Sequence, residues 1–173
     1  MDWRSLNLKL VTLLALTQYK RAADLSLLDI KFCAISKDSV TFGLGEKPKH
    51  HRKKGKLTEP IVFKASLDDL CPVKSIVHYL EITSQARQNS EESKLFLSHL
   101  RPHKSVTQDT IRRWLKTVLN RAGINTKVFQ GHSIRAAASL KARARGASIS
   151  DILNCGGWSQ ESTWQKFYNK EIV

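Results

Sequence analysis

Acidic residues are scarce in this chain. Fifteen Asp and Glu stand against 29 Lys and Arg, which leaves a formal charge of +14 and a pI near 10. That imbalance favours a polyanionic partner: DNA, RNA or an anionic membrane surface. Cysteine is scarce too. Cys33, Cys71 and Cys155 are odd in number, far apart and without a CxxC pair, which excludes a disulfide framework and fits reduced, mostly buried thiols in an intracellular protein. No apolar run is long enough to span a bilayer. The opening MDWRSLNLKL lacks the charged-then-apolar layout of a signal peptide. His99 and His103 have helical spacing, but Pro102 between them disfavours a helix, so they are expected as surface-loop histidines rather than a metal pair. There is no internal repeat, no low-complexity tract beyond one basic stretch, and no RNP-type aromatic motif of an RNA-binding sheet.

What remains is a chain of 173 residues, 41% hydrophobic, long enough for one domain with a buried core. Leu6, Leu10, Leu13, Leu14 and Thr17 mark one face of a first helix. A short second helix is expected over about 21–28. FCAIS, a KDS turn and VTFGL read as a β-hairpin. The basic stretch EKPKHHRKKGK then leads to a strand-like IVF. The expected fold class is therefore mixed α/β and mainly helical, with a small antiparallel sheet from segments near 31–35, 40–44 and 60–63. Pro72 suits a helix start, and Val73, Ile76, Val77 and Leu80 supply its apolar face. SQARQNSEESK reads as an exposed linker, and LFL after it as a short extended piece. Thr107 and Asp109 suit the start of a helix that buries Ile111, Trp114, Leu115, Val118 and Leu119 and ends at Gly123. Arg112, Arg113 and Lys116 fall on its other side. Another helix is expected over about 133–145, then the turn or two of SISDIL. Gly156 and Gly157 break the chain. A last helix, capped by Ser159, carries Trp164, Phe167 and Tyr168 together.

The stretch FQGHSIRAAASLKARARG sets His132 and Arg135 one helical turn apart, so the two project together, and then adds Lys141, Arg143 and Arg145. Taken singly, each residue has an ordinary structural explanation. His132 and Arg135 read as a partly buried histidine beside a surface arginine, Arg21 as a solvated helix-start residue, Trp158 as core, Tyr168 as a packing partner of Trp164, and Asp24 as a partner of a nearby Lys. Their order along the chain says more. Arg21 opens KRAADLSLL, a lysine-rich hairpin loop follows, then His132-x-x-Arg135, then Trp158 after a glycine pair, then Tyr168 in KFYNK.

This layout resembles the catalytic domain of the tyrosine recombinases, the phage-integrase-like family, and the likeness runs over nearly the whole chain. The 23-residue step from Arg135 to Trp158 is the family's usual step. CPVKSIVHYLEIT, HSIRAAA, SISDIL and WSQESTWQKFY are most similar to recombinases of eukaryotic retrotransposons of the DIRS and Ngaro type. The resemblance implies a domain over 1–173 that breaks and rejoins DNA strands through a 3′-phosphotyrosine, with no cofactor and no metal. Its partner would be double-stranded DNA in the nucleus, bound by a homo-oligomer, in the family a tetrameric synapse. Tyr168 would be the nucleophile. Arg21 and Arg135 would clamp the non-bridging oxygens, His132 would hydrogen-bond the phosphate, Trp158 would pack at the site, and Asp24 would orient an arginine. A hairpin lysine would protonate the leaving 5′ oxygen; Lys47 fits best, with Lys49, Lys53, Lys54 and Lys56 as rivals. The remaining cations of that loop, Arg52 among them, and Arg112, Arg113, Lys116 and Lys141 would grip neighbouring phosphates.

The chemistry accounts for these residue types. A tyrosine hydroxyl titrates near 10 and must lose its proton as it attacks. Charge builds on the pentavalent phosphorane, and two guanidiniums, always charged and able to grip paired oxygens, neutralise it well. Two departures from the family stand out. The expected N-terminal DNA-clamping domain and C-terminal exchange helix are not found in the sequence. The interval from Trp158 to Tyr168 is one residue longer than the commonest bacterial spacing, which puts Phe167, without a hydroxyl, where that register has its tyrosine. Other functions compatible with the sequence are a type IB topoisomerase-like relaxing activity and a non-catalytic DNA-binding remnant.

Overall fold

The computed structural model describes residues 2–43, 59–88 and 90–168, without the side chain of Phe167. Seven helices and a three-stranded sheet are present among them. Helix α1 (Trp3–Gln18) is capped by Asp2, whose carboxylate accepts the Ser5 N–H at 3.0 Å, the expected N-cap bond. It ends where Tyr19 turns left-handed at φ 49°. Helix α2 (Ala22–Ser26) starts directly after Arg21. It is shorter than expected at both ends, and Asp24 holds its first turn by accepting the Arg21 N–H at 2.9 Å.

Strands β1 (Cys33–Ile35), β2 (Ser39–Phe42) and β3 (Ile61–Lys64) form an antiparallel sheet in the order β1-β2-β3. Residues 30–32 make a 3-10 turn instead of the start of β1, and Leu44 lies outside the described residues. Val40 pairs with Phe63 and Phe42 with Ile61. All four are buried, so one face of the sheet points inward, as the two-residue period demands.

Helix α3 (Pro72–Gln88) begins on its proline. It runs through the first half of the segment expected as a linker, because Arg87 ties its last turn to the next segment. The guanidinium donates to Thr83 Oγ1 at 3.0 Å, the Lys94 carbonyl at 2.8 Å and the Leu95 carbonyl at 2.6 Å. Helix α4 (Gln108–Arg121) starts at Thr107 and ends before Gly123 at φ 75°, as expected. Helix α5 (Gly131–Ala144) begins two residues earlier than expected. Helix α6 (Ile149–Gly156) is capped by Ser148, and α7 (Glu161–Tyr168) starts two residues past Ser159. His99 and His103 sit in a turn but are half-buried rather than on the surface; His103 stacks on Trp3 at 4.4 Å. The three cysteines are free thiols, and Cys71 is the buried one.

Two cores result. The main one joins α1, the sheet, α3, α4, the segment Leu95–Phe96 and Ile134 of α5. The smaller one, Ile152, Trp158 and Trp164 with Tyr19, Leu140 and Tyr168 against them, joins α5, α6 and α7 to the end of α1.

A closed polar ring crosses the main core. Asn7 donates to the Leu97 carbonyl at 3.1 Å, Tyr79 Oη donates to Asn7 Oδ1 at 2.8 Å, and the Leu97 N–H donates to Tyr79 Oη at 3.0 Å. Each of these residues is fully buried. Tyr79→Phe therefore leaves two buried groups, Asn7 Oδ1 and the Leu97 N–H, without a partner. At about 1–3 kcal/mol for each, the expected loss is about 3 kcal/mol, or about 6–12 °C in thermal midpoint for a chain this size. Denaturant melts should show a lower midpoint at unchanged slope.

Candidate active site

Helix α5 turns two faces to two neighbours. Ile134 enters the main core, while Arg135 next to it enters the small one. The outcome reverses the ordinary structural explanation of the pair taken singly: Arg135 is 2% exposed, and His132 is exposed. Arg135 Nη2 donates to the Gly156 carbonyl at 2.7 Å. Its Nε and Nη1 are also buried, yet have no hydrogen-bond partner among the described residues. Arg87 is the contrast, since all three of its guanidinium nitrogens are bonded. Arg87 ties the fold together; Arg135 holds donors in reserve.

Two aromatic rings cover the guanidinium. Its Cζ lies 3.8 Å from the Trp158 ring centroid and 5.3 Å from that of Tyr168, within cation–π range. The two rings meet edge to face at 4.9 Å. Burial, and then the like charge of Arg21, lower the Arg135 pKa to about 10, against the pull of Tyr168 and Asp24. Trp158 is 7% exposed, and its Nε1 is a further buried donor without a partner.

The glycine pair makes this packing possible. A Cβ on Gly156 would stand 1.8 Å from Trp158 Cζ3, well inside any atomic contact, so only glycine lets the indole lie on the backbone whose carbonyl holds Arg135. Gly157, at φ 68°, ends α6 in the left-handed region. The Trp158 N–H then returns to the Leu153 carbonyl at 2.9 Å, the closing bond of a Schellman turn.

Tyr168 is delivered by α7, and α7 is anchored by Trp164. That side chain is 1% exposed, and its Nε1 donates to Ser139 Oγ at 3.1 Å, one turn along α5 from Arg135. Arg21 comes from the other direction. The left-handed Tyr19 packs on the small core and reverses the chain, so the residues after it face the site. Asp24 holds the Arg21 backbone N–H, and its charge reaches Arg135; no ion pair between Asp24 and an arginine side chain is present among the described residues.

Arg21, Asp24, Arg135, Trp158 and Tyr168 are thus brought together, with His132 three residues from Arg135 on the exposed side of the same turn. Lys47, Lys49, Arg52, Lys53, Lys54 and Lys56 lie outside the described residues. Arg112, Arg113 and Lys116 are exposed on α4, opposite its buried Ile111, Leu115 and Leu119, and Lys141 is exposed on α5. Arg112 pairs with Asp109, and Arg113 donates to Thr110 at 2.9 Å. Such surface pairs are weak and leave both cations able to exchange partners. Sequence reasoning missed Lys20, Ser139 and Cys155. Lys20 is half-buried beside the site, and Cys155 donates to Gln18 Oε1 at 3.2 Å near it. For Ser139 the available signal was its position four residues beyond Arg135; for Lys20, its place in the KR doublet.

Two outcomes follow from this geometry. Arg135→Met should leave stability within about 1 kcal/mol of the parent or raise it, because an apolar chain of similar volume replaces a buried, underbonded cation. The Arg135 pKa is depressed to about 10, so its charge penalises folding in full below about 10, and the penalty is relieved only as pH rises through that value. The difference between the two proteins should therefore be flat from about pH 6 to 9 in urea melts. Ser139→Ala, which strands the buried Trp164 N–H, should cost about 1–3 kcal/mol. Amide exchange should then rise in α7 before it rises in α1 or α3.

The comparisons with known proteins bear on the family and the fold. The model of the phage integrase family matches residues 2–172. No curated protein matches the chain at a significant level. Among solved structures, the chain is similar to XerA recombinase at 17% identity and a TM-score of 0.66, over 96% of this chain and 59% of that one. It is similar to XerH site-specific recombinase bound to its difH substrate before cleavage at 14% identity and a TM-score of 0.71, over 98% and 44%. It is also similar to a lambda integrase dimer bound to a COC′ core site at 16% identity and a TM-score of 0.62, over 96% and 53%. The chain spans between 44 and 59% of the length of these recombinases, and at such identities the likeness is one of fold. The mainly helical body with its three-stranded antiparallel sheet is the tyrosine recombinase catalytic-domain fold, and the chain belongs to the phage integrase family.

Proposed function

We infer that residues 1–173 form a catalytic domain that cuts and rejoins duplex DNA through a 3′-phosphotyrosine, the chemistry of site-specific recombination. The observation that carries this reading is Arg135. A buried guanidinium with two idle donors, roofed by a tyrosine and a tryptophan, lacks an anion with paired oxygens, and a phosphodiester supplies one.

In this reading Tyr168 Oη attacks phosphorus and loses its proton. The P–O5′ bond breaks, Lys47 protonates the departing 5′ oxygen, and the 3′ phosphate stays on the tyrosine. Attack by a 5′ hydroxyl on the phosphotyrosine reverses the step and rejoins the strand. Arg21 and Arg135 neutralise the charge that develops on the non-bridging oxygens, a contribution worth about 3–4 kcal/mol of barrier per donor. The Trp158 indole N–H donates to the same phosphate, and His132, on the exposed side of the turn, hydrogen-bonds it and moves protons. Asp24 fixes Arg21 through the helix start. Lys49, Arg52, Lys53, Lys54, Lys56, Arg112, Arg113, Lys116 and Lys141 grip the flanking backbone.

The segments CPVKSIVHYLEIT and WSQESTWQKFY support a finer origin, in a retrotransposon recombinase of the DIRS or Ngaro type. The Lys-rich run 47–56 supports nuclear localisation. As in the family, the protein acts as an oligomer on DNA.

The test is a nicked suicide duplex, incubated with the protein at low salt in EDTA and resolved by denaturing electrophoresis. The parent protein should give a covalent adduct on the peptide containing KFYNK, because arginines supply the positive charge. Tyr168→Phe should give none, with DNA affinity changed by less than about 1 kcal/mol. An adduct that persists in Tyr168→Phe moves the nucleophile elsewhere. Tight DNA binding without any adduct overturns the enzyme reading in favour of a DNA-binding remnant.

A further inference from the structure

Lys20 has no part in the machinery described so far, yet it sits inside it. The left-handed Tyr19 packs on the small core and Lys20 follows it directly, while Arg21, exposed, acts on Arg135 through its charge. The Lys20 ammonium rests against the glycine turn: a Cβ on Gly157 would lie 4.0 Å from Nζ. Gly156, one residue back, holds Arg135 through its carbonyl, and Trp158, one residue on, covers Arg135. One three-residue stretch thus supports both cations.

The ammonium is underbonded there. Among the described residues Lys20 makes no hydrogen bond and no ion pair, although it is half-buried. Burial lowers its pKa first of all, and Arg135 adds to this; Cys155, Asp24 and Glu59 act in the opposite direction. A partly desolvated cation without an acceptor is a costly arrangement, and Arg135, with two idle nitrogens, repeats it a few residues away in space. The charges sum to the same conclusion. Among the charged groups that act on Lys20 and Arg135, Arg21 and Arg135 are matched by Asp24 and Glu59, so Lys20 leaves one positive charge in excess, which the single negative charge of a phosphodiester would offset.

We propose that Lys20 is a third cation of the phosphate site, donating to a non-bridging oxygen of the DNA phosphate held by Arg21 and Arg135. This rests on the strand-cleavage reading above. A lysine suits the place, since its compact charge and three rotatable donors follow an oxygen as the phosphorus geometry changes.

The test compares the parent protein with Lys20→Met and Lys20→Arg on three suicide duplexes. One carries the normal scissile phosphate, one a methylphosphonate that replaces a non-bridging oxygen by a neutral methyl, and one a 5′-bridging sulfur. Lys20→Met should form adduct about 10²-fold more slowly on the normal phosphate, and Lys20→Arg should recover at least part of that loss. On the methylphosphonate the gap should shrink to about threefold or less, because the oxygen that Lys20 serves is gone. On the bridging sulfur it should not shrink. Equal rates on the normal phosphate overturn the proposal. So does a gap closed by the bridging sulfur, which makes Lys20 the proton donor, and so does a gap that neither substrate changes, which makes it structural.

A second measurement does not depend on cleavage. Inorganic phosphate, added at constant ionic strength, should raise the thermal midpoint of the parent protein. Lys20→Met should need about tenfold more phosphate for the same shift. Equal phosphate responses overturn the proposal even if no adduct ever forms, whereas absence of adduct in the parent protein sinks only the strand-cleavage reading.

Discussion

A guanidinium sealed from water with one of its three nitrogens bonded is the constraint around which this domain is arranged. Everything in contact with Arg135 is specialised to tolerate its charge without neutralising it. The Gly156 carbonyl gives one hydrogen bond, and Trp158 and Tyr168 offer ring faces, whose quadrupoles attract a cation but leave its N–H groups idle. A carboxylate at the same distance would satisfy the arginine and leave nothing for a ligand. Asp24 is kept from doing so by its bond to the Arg21 backbone, so its charge acts at longer range. The site is pre-organised in this sense: the desolvation and ordering of the arginine are already complete in the folded chain.

The two cores divide the labour. The larger one, locked by the Asn7–Tyr79–Leu97 ring and by Arg87, gives α1, α3, α4 and the sheet a rigid frame. The smaller one holds the candidate site and joins α5, α6 and α7 to the end of α1. Helix α5 belongs to both, so the rigidity of the frame reaches Arg135 through Ile134 beside it. Helix α1 lies in the larger core and leads into Tyr19 of the smaller one, which is why Arg21, just past its end, can stand with residues more than a hundred positions later.

Much of this was legible in the sequence. The helices α1, α4 and α5 follow from apolar residues at helical spacing and from Asp, Thr and Gly at their ends. The sheet follows from alternation, and the site from the order of Arg21, His132, Arg135, Trp158 and Tyr168. What stayed hidden depends on partners distant in the chain. The helix α3 was cut short because SQARQ is polar. Its last turn is held by Arg87 reaching carbonyls of the next segment, a bond that no local propensity encodes. The burial of His132 and Arg135 was inverted for the same kind of reason. Hydrophobicity ranks histidine above arginine as a buried residue, and only the Trp158 ring and the Gly156 carbonyl reverse that order. The glycine pair read as a chain break; its decisive property is the absent Cβ beneath the indole.

Helix α7 is eight residues long, and among its described side chains Trp164 is the one that is buried. A helix so short has little stability of its own. Trp164 pins it to α5, and Tyr168 at its last turn packs on Trp158. Loss of the Trp164–Ser139 contact would loosen the helix that lays Tyr168 over Arg135 while leaving the larger core untouched. The placement of the tyrosine thus depends on a hydroxyl of α5, one turn beyond the arginine that the tyrosine covers.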